Sequence, residues 1–356
     1  EMPAPEASGG GAFSLPELPV SVQIDEMRID RAILGEPLFG EAAEMAFTGS
    51  AQLAGGAGET RLEVRRLDRE GSFTVDAAFD NASRELALDL DLSEPENGIA
   101  ANLLELPDRP SVALSVEGND PISNFTADIL LATAGEERLS GQVRLGSSED
   151  GAASFAADLS GDIAPVFAPQ FREFLGRDVA LVASGQRRAS GAMSLDALRV
   201  QAAAMTIEGE ARIAADGWPE SFNLDAEITP PQGDTVILPL PGDLTSVAGA
   251  SLTATFDASA GDVWSLNGAA RGYQQASLSI ERVAFDGTGT IKRDDQSVTG
   301  GLSVNAEGIA PADAALARAI GAQVRGALNF GWANGAPLRL RDIALTGADY
   351  GLTGST

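Results

Sequence analysis

The chain has 356 residues, of which 44% are hydrophobic, enough to bury a continuous core; Cys 0 and His 0 remove disulfides, thiolate nucleophiles, imidazole bases and the usual zinc ligands. Lys+Arg 24 against Asp+Glu 52 gives a formal charge of -28, which opposes contact with nucleic acid or an anionic membrane surface. The expectation is a protein that is not an enzyme and does not bind nucleic acid, with no cofactor and no metal.

Residues 1–17, with Pro, Gly and Ser, read as a flexible N-terminal tail and not as a signal peptide, and no run approaches the roughly 20 apolar residues that span a bilayer. From residue 18 onward, alternation with a period of two dominates, the pattern of strands with one apolar and one polar face. In a first β-repeat region, 18–105, Phe73, Val75 and Phe79 alternate with Thr74, Asp76 and Ala78, and Leu86, Leu88 and Leu90 with Ala87, Asp89 and Asp91. In 106–175 the apolar series are Val112, Leu114 and Val116, then Phe125, Ile129 and Leu131, then Val143. A helix is expected at 162–175, with Ile163, Val166, Phe167, Phe171, Phe174 and Leu175 on one stripe and Pro169 kinking its middle.

The region 176–248 contributes Leu181, Ile207, Phe222, Leu224 and Ile228, and the region 249–320 contributes Leu252 and Phe256. A second helix is expected at 311–320, opened by Pro311 and turning Leu316 and Ile320 inward, before a truncated repeat at 321–356. Gly176, Gly249 and Gly321 recur at intervals of about 70 residues, each followed by a set of strands, which marks a quasi-one-dimensional array. Aromatics at 5% and 40 glycines favour thin stacked strands over a bulky core. The expected fold is all-β: an elongated stacked or curled sheet, a β-taco or open β-solenoid groove, with a few short helices.

Catalytic signatures are missing. There is no phosphate-binding glycine loop, no dinucleotide fingerprint and no nucleophile elbow, and Lys292 is the only lysine. The carboxylate groups Asp25/Asp30, Asp89/Asp91 and Asp294/Asp295 lack calcium-loop spacing and read as solvated strand faces or turns. Arg65-Arg66 and Arg187-Arg188 are basic islands that could meet a headgroup phosphate, although cross-strand pairing with carboxylates is the commoner role.

The opening segments, Leu18-Pro-Val-Ser-Val-Gln-Ile24, Ile33-Leu-Gly-Glu-Pro-Leu-Phe-Gly40 and Thr48-Gly-Ser-Ala-Gln-Leu53, resemble the TamB (translocation and assembly module) branch of the AsmA-like, bridge-like lipid transfer family. The resemblance runs on through Leu62-Glu-Val-Arg-Arg-Leu-Asp68, Leu90-Asp-Leu-Ser-Glu-Pro95, Leu106-Pro-Asp-Arg-Pro110 and the segment Gly161 to Gly176, and it covers most of residues 18–350 through degenerate patterns. It implies a periplasmic β-taco, anchored to the inner membrane by a segment absent from this chain, that conducts phospholipid toward the outer membrane and supports its biogenesis. It also implies an outer-membrane barrel partner, TamA-like, engaged through regions outside this chain. With no initiator Met and an end at Gly351-Leu-Thr-Gly-Ser-Thr356 that reads as mid-strand, the chain reads as a fragment.

On the lipid reading, the alternating apolar residues named above line a hydrophobic groove for acyl chains, with Asp89, Ser115 and Asp225 on the outer face. The alternative is a structural β-solenoid of adhesin or passenger type, whose interior is dry and filled by its own side chains. The width of the inner space separates the two.

Overall fold

A computed structural model describes residues 14–148 and 150–355. The fold is all-β, with 61% of residues in strands and 9% in helix, and its 23 strands form one large antiparallel sheet that does not close into a barrel. The chain divides into two units: residues up to Ala168 with Leu181–Ser190, and Pro169–Ala180 with Gly191 onward. Among the described residues no helix is long and apolar enough to cross a membrane.

Unit 1 begins with β1 (Val22–Leu34), α1 (Glu36–Phe39), β2 (Ala43–Ala54), β3 (Ala57–Arg66), β4 (Ser72–Asp80) and β5 (Glu85–Glu94). After α2 (Ile99–Leu103) come β6 (Val112–Pro121), β7 (Asn124–Thr133), β8 (Glu136–Ser147) and β9 (Ala153–Gly161). Each of these strands pairs with the next in sequence, so the ladder is a meander. The next turn of chain holds α3 (Arg172–Leu175) and then β10 (Val179–Arg187), β11 (Met193–Gln201), β12 (Met205–Ile213) and β13 (Pro219–Ile228). The bridge strands β14 (Val236–Ile237) and β15 (Ser246–Val247) precede β16 (Gly249–Asp257), β17 (Val263–Gln275), β18 (Leu278–Lys292) and β19 (Ser297–Glu307). Finally β20 (Ala310–Pro311) and α4 (Ala314–Ile320) precede β21 (Gln323–Ala333), β22 (Arg339–Thr346) and β23 (Gly351–Gly354).

The approximately 70-residue repeat read from the glycines thus has a structural form: one crossover segment followed by up to four antiparallel strands. Four strands return the chain to the edge it left. Within each unit, therefore, every crossover lies on one edge of the sheet, and the opposite or far edge carries only tight turns. In unit 1 the crossovers meet: Asn102 Nδ2 donates to the Phe39 carbonyl at 2.9 Å, joining α2 to α1. In unit 2, the amides of Ala203 and Ala204 donate to the carbonyls of Leu175 and Phe174 at 2.9 and 3.0 Å, and α3 packs on β14. Ala43, Ala101 and Val112 in unit 1, and Phe174, Ala204, Val236 and Val247 in unit 2, are buried at this edge, and Phe125 and Phe256 at the far edge.

Several local expectations change. The helix expected at 162–175 is two 3-10 turns, Ala164–Val166 and Pro169–Phe171, and a single α turn, because Pro169 withdraws an N–H from the middle and its ring opposes the preceding turn. The helix expected at 311–320 starts at Ala314, since Pro311 pairs with Leu278 as a bridge strand and Asp313 caps the helix by accepting from the amides of Ala315 and Leu316. Leu316, expected inward, is exposed. Of the tail expected at 1–17, residues 1–13 lie outside the described residues, and Leu15 is held by two 2.8 Å hydrogen bonds to the Asn81 side chain.

Candidate functional site

The registers place the alternating residues of unit 1 on one face. Reading across the strands, Ile29, Phe47, Val64, Phe73, Leu92, Leu114 and Leu131 form one row, ending at Leu139. A second row runs Met27, Gly49, Leu62, Val75, Leu90, Val116, Ile129, Gly141, Leu159. Closer to the far edge, Leu88 follows Ala77, Phe79 faces Leu86, Val143 faces Ala127, and Phe125 faces Leu145. Nine strands at the usual inter-strand spacing make this stripe about 38 Å wide along the sheet. Thirteen of the proposed groove residues lie on it: Phe73, Val75, Phe79, Leu86, Leu88, Leu90, Val112, Leu114, Val116, Phe125, Ile129, Leu131 and Val143.

Burial divides them. Val112 is buried at the crossover edge, and Phe79 and Phe125 at the far edge, where the Phe125 ring lies over Gly118. The mid-strand residues Val75, Leu88, Leu90, Leu114, Val116, Ile129 and Leu131 are only half-buried. On β1, β8 and β9 the same face is open, with Met27 54%, Leu145 49% and Phe155 42% exposed. The stripe is thus a surface its own core does not use up.

In unit 2, Ile207, Phe222, Leu224, Ile228, Leu252 and Phe256 again share one face, with partners Ala226, Gly209, Ala250 and Ala254. Here the surroundings differ. Phe256 is buried with Trp264 and Ile291, against Trp218, Phe222, Leu266, Val298, Leu302 and Phe330. Phe222 and Phe256 are protein core, with ring centroids 5.6 Å apart, whereas Leu224 and Leu252 remain half-buried. Leu181 lies on β10 and is also half-buried.

The opposite face is polar: Asp89 faces Asp76 and Glu117, and Asp225 accepts from Thr253 Oγ1 at 2.8 Å. A concavity of unit 1, about 850 Å³, opens chiefly on this face, among Asp25, Glu59, Arg61, Asp76, Glu117 and Asp128. A twisted sheet is saddle-shaped, so each face is hollow along one diagonal, and this hollow is lined by solvated carboxylates. Among the described residues no Asp/Glu group is arranged to hold a metal ion.

Arg66 closes the crossover end of the stripe. Its side chain, 3% exposed, donates to Asp68 Oδ2 at 2.7 Å and Glu41 Oε1 at 3.0 Å, with Glu94 Oε1 at 4.0 Å. Glu94 in turn accepts from the Ala100 amide at 2.6 Å, satisfying the N-terminus of α2. The hydrogen bond to Arg66 holds the Asp68 carboxyl below the usual carboxylate range against partial desolvation. Of the basic islands, Arg66 is therefore an internal ion-pair partner, while Arg187 and Arg188 are exposed.

As residues of the apolar face, sequence reasoning passed over Val22, Ile24, Met27 and Ile29 on β1, and Phe285, Leu302, Leu328 and Trp332 in unit 2. Gln296 through Trp332 contain the signal, since Val298, Leu302, Val304 and then Leu328, Phe330, Trp332 alternate, but interleaved glycines obscure it. Comparison with family models, with curated proteins and with solved structures finds no match for this chain.

Proposed function

We propose that this chain is a phospholipid conduit whose apolar face carries acyl chains while headgroups stay wet, in a periplasm between inner and outer membranes, with an outer-membrane barrel as a partner engaged elsewhere. The observation that supports it is the half-buried stripe of unit 1, apolar across nine strands yet left without a tightly packed cover in mid-strand. Each methylene removed from water there gains roughly 0.8 kcal/mol, and the rows repeat at every strand, so an acyl chain is held with little preference for position. Photo-crosslinkers at Leu88, Leu114 and Ile129 should capture phospholipid, and those at Asp89, Ser115 and Asp128 should not. Equal capture on the two faces would reject the reading.

The solenoid reading keeps one observation in its favour, the aromatic cluster around Trp264, which is buried and packed by its own side chains. It applies to the far edge of unit 2. Native mass spectrometry separates the readings, since a dry structural interior retains no phospholipid through purification and a conduit does.

A further inference from the structure

All three tryptophans of the chain meet at the far edge of unit 2. Trp218, in the turn before β13, lies 6.2 Å from Trp332 on β21, centroid to centroid, and Trp264 on β17 lies 5.9 Å from Phe330. Between β13 and β21 run the pairings through β16, β17, β18 and β19, five steps or ~24 Å in a flat sheet. Two indole side chains do not bridge that span, so this edge is curled until its apolar residues touch. A second contact spans part of the same edge, from the start of β13 to the turn between β18 and β19: Arg293 Nε is 2.6 Å from Asp216 Oδ2, and Arg293 Nη1 is 3.8 Å from Glu220. Beneath, Trp264 is fixed by donating Nε1–H to the Thr299 carbonyl at 3.0 Å and lies over Gly287 and Gly300, where only glycine leaves room for the ring.

The outer leaf is held differently. Trp332 is 38% exposed, and the carboxylate and guanidinium of the ion pair are both about half in water, so water and salt reach both contacts. We propose that the Trp218–Trp332 contact and the Arg293–Asp216 ion pair form a clasp that closes the far edge of unit 2 to acyl chains. The clasp confines lipid in that unit to the crossover side of the apolar face, around Leu224, Leu252 and Ile228, and parting it admits chains to Trp264. This rests on the lipid reading above and adds which residues set the width of the path.

The test uses Trp264 as a single reporter. The variant W218F/W332F keeps aromatic bulk in the clasp, and W218A/W332A removes it; in both, Trp264 is the only tryptophan. Quenching by dibrominated phosphatidylcholine in detergent micelles should be weak in the first and several-fold stronger in the second. R293A added to W218F/W332F should raise quenching without touching the aromatic residues, and it carries the comparison if the alanine pair loses its strand signal in circular dichroism. Equal quenching in W218F/W332F and W218A/W332A, or no rise with R293A, overturns the clasp. L88W in a W218F/W264F/W332F background reports lipid on the stripe of unit 1: if it is not quenched the lipid reading itself fails, and if it is quenched while Trp264 never responds, only the clasp fails.

Discussion

Two arginines on one strand, Arg61 and Arg66, give a sharp test of how this sheet distributes its electrostatics. Arg66 is 3% exposed beside Glu94 at 7%, whereas Arg61 and Asp76, 3.6 Å apart on the polar face, are 62% and 44% exposed. Removing one member of a buried pair costs about 3–5 kcal/mol because a charge is left desolvated. In Arg66→Ala, Glu41 and Asp68 can rehydrate, being about one-quarter exposed, but Glu94 cannot, so the low end, about 3 kcal/mol, is expected. Arg61→Ala should cost no more than about 0.5 kcal/mol. The first is roughly a hundredfold in the unfolding equilibrium and the second about twofold. Urea denaturation followed by circular dichroism measures both, and hydrogen exchange at residues 99–103 should accelerate only in Arg66→Ala, because Glu94 also caps α2. If Arg66→Ala is no more destabilising than Arg61→Ala, the ionic cluster is not structural, and the argument that it anchors α2 fails.

The same cluster sets an acid dependence. Asp68 titrates below its unfolded value, so its contribution is complete above about pH 4 and is lost as the pH falls through the depressed folded value; the urea midpoint should drop on acidification, and less so in Arg66→Ala. Gly300→Ala would set a methyl group against the Trp264 ring, which its hydrogen bond to Thr299 holds in place, and should cost about 1–3 kcal/mol and shift tryptophan emission to the red. Gly331→Ala, on the polar face with only Thr299 Cγ2 nearby at 3.8 Å, is the near-neutral control for that experiment. Asp313→Ala removes the cap of α4 and should cost about 1 kcal/mol, read as faster hydrogen exchange confined to residues 314–320.

What the sequence disclosed was local. Alternation such as Leu86, Leu88, Leu90 puts residues on a shared face because side-chain direction in a strand depends only on position along it. Gly176 and Gly321 are legible for another local reason: each ends its helical turn at a positive φ, 69° and 76°, which side chains disfavour. Less legible was the run Phe285, Gly287, Gly289, Ile291, which is continuous strand: Trp264 and Leu302 fill the space above Gly287, and the backbone of Thr299 and Gly300 comes close at Gly289. The crossover segments carry less helix than their apolar spacing suggests, since Pro169 breaks the first and Pro311, which reads as an opening helical residue, pairs with Leu278 instead. Least legible was the meeting of Trp218 with Trp332, more than a hundred residues apart, because it depends on the accumulated curl of intervening strands and on no local pattern.

The half-open stripe and the closed aromatic edge follow from one design constraint. Because each module returns after four strands, its cover is always delivered to the crossover edge, and that cover consists of helices of four to seven residues or bridge strands of two. One helical turn rises about 5.4 Å, too little to reach across strands that are about 30 Å long. Mid-strand apolar residues are left to their cross-strand neighbours. In unit 1 the mid-strand neighbours Val75, Leu90, Val116 and Ile129, and Leu92, Leu114 and Leu131 beside them, are aliphatic, so their side chains stand side by side and stay half-buried, while at the far edge the Phe125 ring lies over Gly118. In unit 2, glycines at 268, 287 and 300 lie beneath Phe285 and Trp264, and large rings set over small residues let the far edge fill itself. Aromatic rings set over glycine, and not small residues as such, fill the face: Leu224 between Gly209 and Ala254 stays half-buried, whereas Trp264 over Gly287 and Gly300 is buried.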